Sequence, residues 1–391
     1  MRIEHPRAVH PALIQLALAM GGFAIGTTEF ATMSLLPDFA HDLGIDAPTA
    51  GNVISAYALG VVVGAPTIAV LGAKLARRTL LVGLMGLFAL ANGLSAIAPS
   101  YHWMLLFRFL SGLPHGAYFG IASLVAASLV APDRRTVAVG RMMLGLTVAT
   151  IVGVPLANIL GQGLGWRWGF VLVAGLALTT AVLVGLFTPR DRPDPGASAM
   201  KELGALARPQ VWLTLATGAI GFGGLFAVYT YLADTMLIVT RVPASTVPVA
   251  LVVFGVGLTA GNLVVPRFAD RNIMKTAGIM LVWAALVLAP WPFTARHLPL
   301  LLVNVFLIGT MGAIATVLQT RLMDVAGEAQ VLAAALNHSA FNAANALGPF
   351  LGGIAIRSGL GWTSTGPVGC ALALGGLVIW AISVRLPTRA R

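Results

Sequence analysis

Twelve apolar runs, each about as long as one bilayer crossing, dominate this chain of 391 residues. They cover 11–36, 48–72, 79–98, 102–130, 137–161, 168–187, 210–233, 244–266, 276–293, 298–320, 331–356 and 364–384. A helix crosses the hydrocarbon core with roughly 20 apolar residues. Backbone polar groups in lipid must be satisfied internally, which leaves helices or closed barrels. The alternation of period two expected of barrel strands is missing, so the runs are read as helices. Charged residues make up only 9% of the chain, against about 25% in soluble domains. Such a chain cannot clothe itself in polar surface, which excludes a soluble enzyme, a disordered polypeptide and a disulfide scaffold. The single cysteine, Cys370, has no partner for an intrachain bridge.

The formal net charge is +11, yet no basic face with interleaved aromatics suggests nucleic acid. The cations sit in short breaks between the runs. The termini and even-numbered breaks hold 18 Lys and Arg, and the odd-numbered breaks hold four. Cytoplasmic loops carry such an excess, so both termini are expected in the cytoplasm and the chain in the inner cell membrane, crossing it many times. Arg2 and Arg7 precede the first run, but that run is too long for a cleavable signal peptide.

The longest polar segment is Thr188–Pro209, with charges and prolines. It divides the chain into an expected six-helix bundle at 1–187, a cytoplasmic linker at 188–209 and a second six-helix bundle at 210–391. The halves resemble each other. Gly163-Leu-Gly-Trp166 recurs as Gly359-Leu-Gly-Trp362, 196 residues later, and Val154-Pro155-Leu156 has Gly348-Pro349-Phe350 as its image. The fold class expected is therefore an all-α integral membrane protein built from two pseudo-symmetric six-helix bundles. A duplicated helical unit with its site between the halves is a transporter plan.

Gly26-Thr-Thr-Glu-Phe30 with Leu35-Leu-Pro37, Arg108-Phe-Leu-Ser-Gly112, the series Gly145, Gly153, Pro155, Gly161, and Gly165-Trp-Arg-Trp-Gly-Phe170 fall in one order along the chain. Together they resemble the twelve-helix drug:proton antiporter branch of the major facilitator superfamily, including its sugar-efflux, arabinose-efflux-like and chloramphenicol-resistance members. The resemblance implies proton coupling through Arg108 and bending of the fifth helix at Gly153 and Pro155. It also implies a cytoplasmic gate at Arg77 and Arg78. The loop acid of that gate is replaced here by Ala73, whereas the second half keeps Asp270-Arg271. The inward-closed state is thus expected to lean on Asp270.

Glu29 is the leading candidate from its own chemistry. An acid deep in an apolar run is costly unless it faces a cavity or binds a proton. Thr28 and Thr32 stand beside it as hydroxyl donors. Arg108 and His115 share the fourth run, and a membrane imidazole is a second proton candidate. His338, Asn342 and Asn345 form a polar stripe at helical spacing. Phe119, Tyr229 and Tyr231, with Phe222 and Phe226, are read as wall residues of a substrate cavity. Asp234 is read as interfacial and Arg141 as snorkelling to the headgroups. No cofactor or metal is expected, because His and Cys are sparse and no Walker loop is present. The expected partners are a small-molecule substrate, protons and the lipid bilayer, with the chain acting as a monomer. The function expected is proton-coupled efflux of small amphipathic molecules or drugs, with a sugar or nucleoside exporter as the alternative.

Overall fold

The computed structural model describes residues 10–72, 75–130, 135–189, 204–269, 271–326 and 330–386, and every described element is a helix. Twelve long helices follow the apolar runs. The first half holds α1 (Pro11–Ser34), α2 (Ala47–Leu71), α3 (Arg77–Ala96), α4 (Tyr101–Ser128), α5 and α6 (Arg167–Phe187). Helix α5 is built of Arg135–Val148, a widened π turn at Ala149–Gly153 and Val154–Leu164. The second half begins with α7, in pieces Pro209–Gly221, Gly223–Thr230 and Leu232–Thr235. It continues with α8 (Val247–Ala269), α9 (Ile273–Leu288), α10, α11 (Gln330–Ala355) and α12 (Thr365–Arg385). Helix α10 comprises Leu298–Thr310 and Ile314–Ala326 around a tight turn. A short helix, Leu36–Asp42, caps the end of α1.

Eleven described helices are long and apolar enough to cross a membrane. Helix α11 has the length, 26 residues, but carries Asn337, His338, Asn342 and Asn345 on it. Its polarity belongs to an interior position, and Asn337, Asn342 and Asn345 are all buried. The outward residues elsewhere are large and apolar, such as Leu90, Leu186 and Leu286, each more than 60% exposed. That is the inverse of a soluble surface and suits a lipid solvent.

Packing repeats six helices on. Helix α1 packs on α5 and α6, as α7 packs on α11 and α12. The α2–α4 and α3–α6 pairs have α8–α10 and α9–α12 as counterparts. The repeated corner has one backbone solution in both halves. Gly165 (φ +102°) and Gly361 (φ +80°) each turn the chain into the following helix at a left-handed angle open to glycine. Between the halves, α2 packs along α11 and α5 along α8, again a symmetric pair of seams. These observations give the chain the two pseudo-symmetric six-helix bundles expected of it.

Two further contacts set the frame for the site. Gly112 lets α4 approach α2 so closely that an added Cβ would stand 2.0 Å from the Tyr57 carbonyl oxygen. At the end of the molecule carrying residues 36–46, Asp42 accepts from Arg167 and from Trp166 Nε1 (3.0 Å). Those bonds, Arg167 first, hold the Asp42 carboxyl below its ordinary range. Their contribution is present at neutral pH and is lost as acid titrates Asp42 through that lowered pKa. The pair is exposed, so its worth is small.

Substituting Gly112→Val should therefore cost about 1–3 kcal/mol by overpacking. Loss of thermal stability in detergent, read against Gly93→Ala, an opening with no neighbour within 4 Å, checks it.

Candidate functional site

Three buried layers cross the centre of the molecule. In the first, Glu29 projects from α1 and accepts a hydrogen bond at Oε1 from Asn345 Nδ2 of α11, at 3.2 Å. Glu29 is 8% exposed and Asn345 fully buried. The bond therefore joins the two halves through the one acid inside α1. The amide's own oxygen, Asn345 Oδ1, has no partner, and neither has Asn342 Oδ1 one turn earlier.

The second layer holds Arg108, only 1% exposed. Its Nη1 donates to Thr28 Oγ1 (3.0 Å) and to Asn92 Oδ1 (3.3 Å). Thr28 Oγ1 in turn donates to Asn92 Oδ1 at 2.8 Å. The guanidinium lies over the Tyr57 ring, 4.4 Å from its centroid, with Phe170 at 5.5 Å. A cation over an aromatic face is stabilised by the ring quadrupole. Arg108 forms no ion pair with Glu29; it stands next to it through Thr28. Its Nε has no hydrogen-bond partner.

In the third layer the Tyr57 hydroxyl and His115 Nδ1 share a hydrogen bond of 2.8 Å. His115 on α4 faces His338 on α11, with ring centroids 5.8 Å apart. Phe119 stacks on His338 at 5.1 Å, nearly parallel. Beside these layers an aromatic wall forms between α1, α7 and α8. Phe30 meets Tyr229 edge-on (5.4 Å), Phe226 (6.3 Å) and Phe254 (6.0 Å). The Tyr229 hydroxyl is buried and unpartnered.

The residues expected from sequence separate into groups. Glu29, Arg108, His115, His338, Asn345, Phe119 and Tyr229 converge on the seam between the halves. Asn342 lies beside them, its Nδ2 donating to the His338 carbonyl. Thr28 binds Arg108, and Thr32 donates back to the Thr28 carbonyl at 2.7 Å, so both hydroxyls are engaged within the protein. Tyr231 is a clasp: its hydroxyl donates to the Pro349 carbonyl of α11 (2.9 Å). Gly153 lies in the widened turn of α5 and Pro155 directly after it. Arg78 donates to the Gly185 carbonyl, Arg77 opens α3, and Arg271 is exposed. Ala73 and Asp270 lie outside the described residues. Asp234, near the end of α7, is 5% exposed, with the short helix Leu36–Asp42 packed against its segment Leu232–Thr235.

Sequence reasoning missed Tyr57, Asn92, Phe30 and Phe254. Asn92 had a usable signal, an amide in the middle of an apolar run. Phe254 had none. No group of three metal-ligating side chains occurs among the described residues.

Comparison with known proteins gives one answer. A model of the Major Facilitator Superfamily matches residues 18–328. The inner membrane transport protein YdhP of Escherichia coli K12 is 40% identical over 371 residues, 95% of each chain. A chloramphenicol resistance protein of Streptomyces lividans is 35% identical over 380 residues, again 95% of each. The crystal structure of a bacterial homologue of the human lysosomal transporter Spinster, inward-facing and occupied, superposes with a TM-score of 0.66. It covers 96% of both chains at 16% identity, a likeness of fold.

The Thr28→Val variant should remove an acceptor for Arg108 and a donor to Asn92 together. A hydrogen bond to a buried charge is worth about 1.5–3 kcal/mol, and a loss of thermal stability on that scale is the expected reading.

Proposed function

As a member of the major facilitator superfamily the chain is a membrane transporter, and we propose that it exports small amphipathic molecules in exchange for protons. The observation that carries this reading is the Glu29–Asn345 hydrogen bond, which ties an acid of α1 to α11 across the seam. An ionised carboxylate in that setting is expensive, and a proton neutralises it. Opening the seam to water would let Glu29 exchange its proton. Closing it around a protonated carboxyl would be cheap. Arg108 donates to Thr28, the residue next to Glu29, and so sets a positive charge close to the carboxyl.

The wall of Phe30, Phe226, Tyr229 and Phe254 suits a small molecule with an apolar ring and one polar group, for which the free Tyr229 hydroxyl is a partner. The relative from Streptomyces lividans is named for chloramphenicol resistance, so amphenicols are the first probes. The π turn and Pro155 directly after it lie where α5 meets α8, and both are features at which helices kink. We place the six-helix units at 1–187 and 210–391, joined by a cytoplasmic linker at 188–209, with both termini cytoplasmic in the inner membrane and a single chain as the working unit. The Lys and Arg census supports that orientation.

A second reading has its own observation. The unpartnered Asn342 and Asn345 carbonyl oxygens are acceptors that a hydroxyl-rich sugar or nucleoside would fill. Ligand-induced thermal shifts across amphenicols, sugars and nucleosides separate the two.

In proteoliposomes, substrate flux should follow an imposed pH gradient. Glu29→Gln should abolish that response while leaving the ligand-induced thermal shift intact. Gradient-driven flux that survives in Glu29→Gln would move the proton site elsewhere.

A further inference from the structure

Asp234 stands apart from the Glu29–Arg108 network. The four residues Leu232–Thr235 pack against the short helix Leu36–Asp42, so the halves touch here as well. Asp234 is 95% buried by the same 5% exposure, and its Oδ2 has no hydrogen-bond partner. Thr230 Oγ1, one turn earlier on α7, is buried and also unpartnered.

The short helix packed against Leu232–Thr235 carries another acid, Asp38, at a half-buried position. The other ionisable groups on the surrounding elements are engaged or turned to solvent. On the short helix, Asp42 is held by Arg167 and Trp166, and His41 is exposed. On α1, Glu29 is bonded to Asn345. On α7, the Tyr231 hydroxyl is bonded to the Pro349 carbonyl, and Tyr229 packs on Phe30 and Phe254. The turn Trp362–Ser364 carries no ionisable side chain. Asp46, exposed, accepts from the Thr49 N–H, and Arg241 at the end of α7 and Arg357 beyond α11 are exposed. The ion pair found among the described residues is Arg167–Asp42, and none reaches Asp234.

A carboxylate this buried, with one oxygen unpartnered and a second acid on the helix packed over it, is costly to keep ionised. The structure assigns a second proton-binding site at Asp234. This end of the molecule closes with Asp234 protonated, and parting of the halves delivers that proton to water, leaving the carboxylate solvated. Asp38 supplies the like charge that penalises closure around an ionised Asp234. The site deepens the proton-coupled reading but does not rest on Glu29, because it governs closure of one end and not occupancy of the centre.

The test follows closure directly. Spin labels go on Gln162→Cys and Ala244→Cys in a Cys370→Ser background. Gln162 Nε2 donates to the Ala244 carbonyl across the same end at 3.0 Å, and both positions are exposed. The short inter-label distance should dominate near pH 5 and give way as pH rises toward about 8, the range in which a buried carboxyl titrates. Asp234→Asn should hold the short distance throughout. Asp38→Asn, at a half-buried position, should leave more of the molecule closed at the alkaline end and serves if Asp234→Asn fails to fold. A parent without pH response, or an unchanged response in both Asp variants, would overturn the assignment. Flux in proteoliposomes reads the Glu29 proposal separately.

Discussion

The burial of Arg108 in a neutral cradle is the constraint on which the centre depends. A guanidinium taken out of water must be answered by acceptors or ring faces. Here the answer is Thr28, Asn92 and the Tyr57 ring, not a carboxylate. Arg108 keeps these partners whatever the state of Glu29, with which it makes no ion pair. The duplicated scaffold reinforces the point, since the image of Arg108 in the second half is Asn304, whose amide donates to the Val287 carbonyl at 3.0 Å. The charge belongs to one half only.

The contact between the halves mixes two chemistries. Along α2 and α11 there are single polar bonds, such as Ser55 Oγ donating to the Ala346 carbonyl at 3.1 Å. Elsewhere a continuous apolar cluster crosses from one half to the other through Phe30, Phe226 and Phe254. The first half has in addition its own apolar cluster around Leu18, Phe88 and Tyr118.

Most of the architecture was legible because hydropathy and helix length are local properties. The twelve runs fell within a few residues of the helices, and the Gly-Leu-Gly-Trp repeat marked the corner that both halves use. Glu29, Arg108 and the α11 stripe announced themselves as polar groups in oil. Asn92 was legible in the same way, as an amide in an apolar run, but its pairing with Arg108 was not, because that depends on α1, α3 and α4 converging. Asp234 sat at the end of an apolar run, where position along the chain suggests the headgroups. The short helix after α1 folds over it, and nothing in the local pattern of α7 shows that cover.

The widened turn at Ala149–Gly153 changes how α5 is to be numbered around its axis. A π turn holds one residue more than a regular turn, which sets everything beyond it back by roughly 100°. A helical wheel drawn through 135–164 in one sweep misassigns the lipid side of one segment. Solvent-probe reactivity scanned along the helix will accordingly show two stretches of ordinary periodicity separated by a phase slip, with Asn158 and Gln162 belonging to the later phase.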